Sequence, residues 1–191
     1  MTDSKEGIKK LYVYIKESLQ EVETGYYEYD EWRIFHDPDL LYLVSHALYS
    51  KILASGLEFD YIVALGGSGT PLAIALLLEF HKNGIKKKFL YISDPLVGVS
   101  ALWLKKIKPD LKLNKPSILF VDTEIKSGRT VWDGYQKVEN MYAQVKGIAA
   151  ITDYKGFPDR TDYNEVVVKK KIPVIRLFDF YPLKHELTIA E

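Results

Sequence analysis

The stretch Ser117–Tyr135, SILFVDTEIKSGRTVWDGY, constrains the fold more than any other part of this 191-residue chain. Ile118-Leu119-Phe120-Val121 has the length and β-rich composition of a strand buried on both faces, as in a parallel sheet. Asp122 and Glu124 follow at once, where the carboxyl edge of such a sheet lies. Ser127-Gly128-Arg129-Thr130 comes next, and then Val131, Tyr135, Val138 and Tyr142 at the three- and four-residue spacings of a helix. This order builds an anion site. The loop amides and the helix N-terminus face a phosphate. Ser127 and Thr130 can donate hydroxyl hydrogen bonds, and Gly128 lets the backbone come close. Acids beside such a cradle suit sugar hydroxyls or a magnesium ion, both of which take oxygen acceptors. The same residues also suit an ordinary strand-to-helix turn with a hydroxyl cap.

A second glycine-rich turn repeats the arrangement. Phe59–Leu65 reads as a strand that runs into Gly66-Gly67-Ser68-Gly69-Thr70-Pro71, with a helix from Leu72 to about Phe80. The turn is neither a dinucleotide fingerprint, because no third glycine closes G-x-G-x-x-G, nor a P-loop, which needs Gly-Lys-Ser/Thr. It stands one residue from the G-x-S-x-G elbow of serine hydrolases, with Ser68 as nucleophile and His185 downstream in the right order. Thr70 occupies the last position of that elbow, however, and a hydrolase reading leaves Asp122–Thr130 unexplained.

The rest of the chain supplies helices and further strands. Residues 4–22 carry a stripe of Ile8, Leu11, Tyr12, Ile15, Leu19 and Val22, and Asp3 with Glu6 forms a capping box before it. An aromatic, acidic patch over residues 24–33 has room for a short strand. Asp37-Pro38-Asp39 starts a helix that reaches Gly56. Strands are expected at residues 88–93 and 148–152, and Val166–Val168 and Pro173–Phe178 finish the sheet. Alternating strands and helices imply an α/β fold, a mostly parallel central sheet flanked by helices. One domain is expected over 1–191, with about 1–36 as an N-terminal helix and hood and about 37–180 as the core.

Acids and bases balance at 26 each, which excludes a general basic field for nucleic acid or an anionic membrane. Cysteine is absent, so thiolate chemistry is excluded. No apolar run reaches the length of a membrane span, and a cytoplasmic setting is expected. The four histidines are scattered and make no metal-ligand pair on one helix face.

Val121-Asp122-Thr123-Glu124-Ile125-Lys126-Ser127-Gly128-Arg129-Thr130 resembles the phosphoribosyl diphosphate (PRPP) motif of the type I phosphoribosyltransferases. Ser68-Gly69-Thr70-Pro71-Leu72-Ala73 resembles that family's pyrophosphate loop, and the two matches occur in the family's order. The resemblance covers about residues 24 to 180. It implies a PRPP-magnesium complex as substrate, transfer of phosphoribose to a nucleobase with release of pyrophosphate, and a homodimer. It places the 5′-phosphate on Lys126, Ser127, Gly128, Arg129 and Thr130, and the pyrophosphate on Gly67, Ser68, Gly69 and Thr70. Asp122 and Glu124 become the catalytic acids, with Asp122 and Thr123 on the ribose, and Lys105 and Lys106 fall in a mobile loop. The run Tyr27-Glu28-Tyr29-Asp30-Glu31-Trp32-Arg33 is similar to the entry of the orotate-using branch. Two departures stand out: Thr123 replaces the second of two adjacent acids, and Asp153-Tyr154 replaces the Asp-Arg that reads orotate. Both leave room for a regulatory paralogue that binds PRPP or a nucleotide without turnover.

Overall fold

The computed structural model describes residues 4–23, 26–92, 115–139 and 143–190. The fold is built on one six-stranded sheet. Strands β3 (Tyr61–Leu65), β4 (Lys88–Ile92), β5 (Ser117–Ile125), β6 (Gln144–Tyr154), β7 (Val174–Tyr181) and β8 (Glu186–Ile189) form one sheet in the order β4-β3-β5-β6-β7-β8. All neighbouring pairs are parallel except β7 and β8. The chain passes from β3 outward to β4 and then returns to the other side of β3 to lay down β5. This reversal makes the β3/β5 crevice the topological switch point, where open α/β sheets bind ligands.

Helices close both faces. Helices α3 (Pro38–Ala54) and α4 (Gly69–Lys82) cover one face, with α1 (Ser4–Ser18) packed on α3. Their core includes Leu48, Ile52, Leu72, Leu76 and Phe80 against Ile62, Leu119, Val121 and Ile151. Each fully buried Leu or Ile there contributes roughly 1.5–3 kcal/mol of hydrophobic stabilisation. Helix α5 (Arg129–Glu139) covers the other face, placing Val131 and Val138 over Phe120, Ile148 and Ala150. Gly134 permits this approach, because a Cβ there would lie 2.6 Å from Leu65 Cδ2. The N-cap expected at Asp37 is present: its carboxylate accepts from the amides of Asp39 and Leu40, with Pro38 in the first turn.

The amino-terminal segment folds over the carboxyl ends of the strands. After α1 come the antiparallel pair β1 (Gln20–Glu23) and β2 (Tyr26–Glu28) and the short helix α2 (Glu31–His36). Tyr27 packs edge-on against Phe180 and His185, and the Tyr29 hydroxyl donates to the Thr123 carbonyl at 3.4 Å. Leu11 and Ile15, from the helical stripe, are fully buried, whereas Val22 is exposed on β1.

One expected strand is something else. Val166–Val168 do not join the sheet but belong to a π-helical turn, Asn164–Val168, that continues from α6 (Thr161–Tyr163). Valine favours strands through packing on a half-buried surface, and tertiary context overrides that preference. Here Val166 and Val167 are buried beneath α5, so their burial is satisfied without strand pairing. Strand β8 lies beyond the expected elements and turns back along β7 after His185, whose φ of 51° is left-handed. Asp3, Tyr142, Lys105 and Lys106 lie outside the described residues.

Candidate active site

The two glycine turns meet at the switch point. Gly69 opens α4 directly against β5: a Cβ on it would lie 2.6 Å from the Val121 carbonyl oxygen. Gly128, with φ +87°, opens α5 against the backbone of Tyr163, where a Cβ would approach within 2.5 Å. A Cβ on Gly66 would lie 3.8 Å from Thr130 Cγ2, so the first turn abuts the second. Between them lies a cavity of about 290 Å³ lined by the continuous run Asp122–Val131, with Ser68, Glu31 and Phe157. Of the residues expected on PRPP, Asp122–Glu124 and Lys126–Thr130 line this space with Ser68 from the other turn, whereas Gly67, Gly69 and Thr70 do not line it.

Loop geometry supports anion binding. The Ser127 side chain accepts from the Arg129 amide at 3.2 Å, and the Ser127 carbonyl accepts from the Tyr163 amide at 3.0 Å. These bonds fix the turn, so the α5 N-terminus presents its remaining amides to the cavity. Lys126 lines the cavity as well. Its ammonium pairs with Glu124 Oε2 at 2.7 Å and Glu28 Oε1 at 3.1 Å, and lies 5.2 Å from the Tyr154 ring centroid. Arg129 is exposed beside Asp133 and Asp162. The turn thus offers amides and hydroxyls ahead of bare cations.

The acids extend the strand instead of following it. Both Asp122 and Glu124 lie within β5, paired with Ala150 and Thr152 of β6. Asp122 is 6% exposed, and its Oδ1 accepts from the Thr123 amide at 2.8 Å. Burial pushes its carboxyl well above the usual range; the Thr123 amide opposes this, and the nearby Glu31 and Glu124 add to it. Glu124 accepts from the Tyr154 hydroxyl at 2.6 Å. Burial raises its carboxyl as well, against the opposing effect of Lys126 and Tyr154. Thr123 stands on the opposite face from the two acids, where its hydroxyl meets Ser68 Oγ at 3.1 Å and donates to Glu31 Oε2.

Ser68 therefore pairs with Thr123 and not with a histidine; His185 lies 2.8 Å from the Tyr27 hydroxyl. Lys155, next to the residue standing where an arginine would read orotate, is bound to Asp153 and Asp179. Sequence reasoning singled out neither Glu31 nor Phe157 as a site residue. Glu31 sat within the aromatic, acidic run of the hood, but nothing local connects it to a strand that follows 92 residues later.

No protein-family model matches the sequence, and no curated protein matches it. Solved structures do. A phosphoribosyltransferase from Corynebacterium diphtheriae superposes with a TM-score of 0.66 over 94% of this chain and 98% of its own, at 16% identity. Adenine phosphoribosyltransferase from Thermoanaerobacter pseudethanolicus gives 0.64 over 88% and 99%, at 18% identity. Orotate phosphoribosyltransferase from Mycobacterium tuberculosis H37Rv, solved with PRPP, gives 0.61 over 93% and 92%, at 13% identity. The chain has the type I phosphoribosyltransferase fold.

Proposed function

We propose that this protein binds PRPP with magnesium and transfers the phosphoribosyl group to a nucleobase. A base nitrogen would form a bond to the anomeric carbon while the bond from that carbon to the pyrophosphate oxygen breaks, and pyrophosphate leaves with its electrons. The carrying observation is the single cavity in which the Asp122–Val131 run faces Ser68 of the other glycine turn. Amides and hydroxyls of Ser127–Thr130 would hold the 5′-phosphate, and the Gly67–Thr70 turn the pyrophosphate. Asp122 would accept from the ribose hydroxyls and stabilise positive charge on the ring as the bond breaks.

The donors around the cavity fit a hard cation, since they are carboxylate and hydroxyl oxygens. No group of three or more acids or histidines that could hold a metal occurs among the described residues. The substrate and water would therefore supply most of the shell, with Ser68 the protein group on the diphosphate turn. Magnesium would neutralise charge on the leaving pyrophosphate.

Charge balance bears on the base. Glu28, Glu31, Glu124 and Asp122 surround this end of the sheet, and Lys126 is already paired with two of them. An orotate-like pyrimidine, suggested by the hood sequence, would bring a further carboxylate there. The balance favours a base without one. A second reading, a PRPP sensor without turnover, rests on Thr123 standing in place of an acid and on Tyr154 standing in place of a base-reading arginine. A cytoplasmic homodimer completes the proposal, and sedimentation at micromolar concentration tests the dimer.

Incubation with PRPP, magnesium and a panel of purine and pyrimidine bases, read by pyrophosphate release, separates the readings. Release with one base is expected. Tight PRPP binding with no release for any base would establish the sensor, and a failure to bind PRPP would contradict both.

A further inference from the structure

The proton count at Thr123 gives Glu31 a role. A hydroxyl has one proton to donate. Thr123 Oγ1 gives it to Glu31 Oε2, so the 3.1 Å contact with Ser68 must run from the Ser68 hydroxyl to Thr123 Oγ1. The result is a directed chain, Ser68 to Thr123 to Glu31, that ends on a carboxylate. It ties together three elements distant in sequence: the β3–α4 turn, strand β5 and the hood helix α2. Glu31 opens α2, and its amide is fixed on the Tyr29 carbonyl at 2.8 Å, while Tyr29 itself bonds the Thr123 carbonyl. The carboxylate is thereby placed from both its backbone and its tip.

Glu31 lines the same cavity as Asp122. One bond to Thr123 leaves it acceptor capacity, since a carboxylate has about four lone-pair sites. A vicinal diol presents two hydroxyl donors, and Asp122 Oδ1 is already engaged by the Thr123 amide. A second carboxylate on the far side of β5 is the group the site otherwise lacks. Thr123 cannot provide it, and Glu124 is taken up by Tyr154 and Lys126.

Resting on the PRPP reading above, we propose that Glu31 is the second carboxylate on the ribose hydroxyls, delivered by the hood and aligned by the Ser68–Thr123 relay. The hood completes the site.

Relocating the charge tests this. PRPP binding with magnesium is measured by calorimetry on wild type, Glu31→Gln, Glu31→Ala and the double variant Glu31→Ala with Thr123→Asp, with each melting temperature recorded. Losing a charge-assisted hydrogen bond predicts about tenfold weaker binding for both single variants. The double variant, which restores a carboxylate where the Thr123 hydroxyl now stands, is expected to return to within about threefold of wild type. Wild-type affinity in the Glu31 variants would overturn the role of Glu31 while leaving the PRPP site intact. Weak binding that the double variant does not recover would make Glu31 a merely structural contact and overturn it too. Failure of wild type to bind PRPP would remove the underlying reading and this role together.

Discussion

Asp122 and Glu124 on β5 and Asp153 and Asp179 on β6 and β7 lie at the same edge of one sheet, in very different charge environments. Asp153 is fully buried, yet it accepts from Arg160 Nη2 at 2.7 Å and pairs with Lys155. Asp179, its partner in register on β7, is held by Arg176 through both carboxylate oxygens, at 2.7 and 3.0 Å. Burial alone would raise the Asp179 carboxyl, but Arg176 and Lys155 outweigh that and hold it below the usual range. Three cations thus serve two acids. On β5 the balance is reversed: Asp122 and Glu124 lie near Glu31, Lys126 is shared between Glu124 and Glu28, and both β5 carboxyls are pushed up. Compensated acids hold the sheet together. Acids short of a counter-charge cost stability, and carboxyls perturbed in this way mark a candidate site.

Four substitutions or titrations would break or sharpen this contrast. The largest effect is expected at Asp153. Asp153→Ala leaves the largely buried Arg160 guanidinium without its carboxylate and should cost about 3–5 kcal/mol in urea unfolding, while PRPP affinity of the folded fraction persists. Asp122→Asn should do the opposite. Binding should fall by about 100-fold or more, near 3 kcal/mol, with a melting temperature equal to or above that of wild type. Gly128→Ala comes next. A left-handed φ of +87° and the approach to Tyr163 should cost about 2 kcal/mol, spread between stability and phosphate affinity.

The smallest effect is in the pH dependence. A carboxyl raised in the folded chain binds its proton more tightly there than in the unfolded chain. Stability from Asp122 and Glu124 therefore falls as pH climbs from about 4 through their folded values. Asp179 works in the other direction: its contribution is present above about 4 and is lost as pH falls through its lowered folded value. Melting curves should show Asp122→Asn flattening the fall in stability with rising pH and Asp179→Asn flattening its loss with falling pH.

The contrast also marks what the sequence could show. Both glycine turns, the strands feeding them and the Asp37 cap were legible, because each depends on neighbours within a few residues. The β5 acids were legible as a pair, although not as strand residues, since Asp and Glu are poor strand formers and only pairing with Ala150 and Thr152 holds them extended. Lys126 reads as a phosphate contact from its place in the loop. One of its two carboxylate partners, Glu28, lies 98 residues away, and no local pattern announces it. Glu31 was hidden for the same reason. The π-helical turn at Asn164–Val168 misled because three valines satisfy a strand pattern and a buried turn equally well.

The most direct test is a calorimetric titration of PRPP with magnesium into wild type and Asp122→Asn, with melting temperatures taken on the same samples. The account predicts saturable binding by wild type, binding weaker by about 100-fold or more in the variant, and a variant at least as stable as wild type. Equal binding by the two proteins, or loss of binding only alongside loss of stability, would contradict the claim that the uncompensated acid on β5 is there for the sugar.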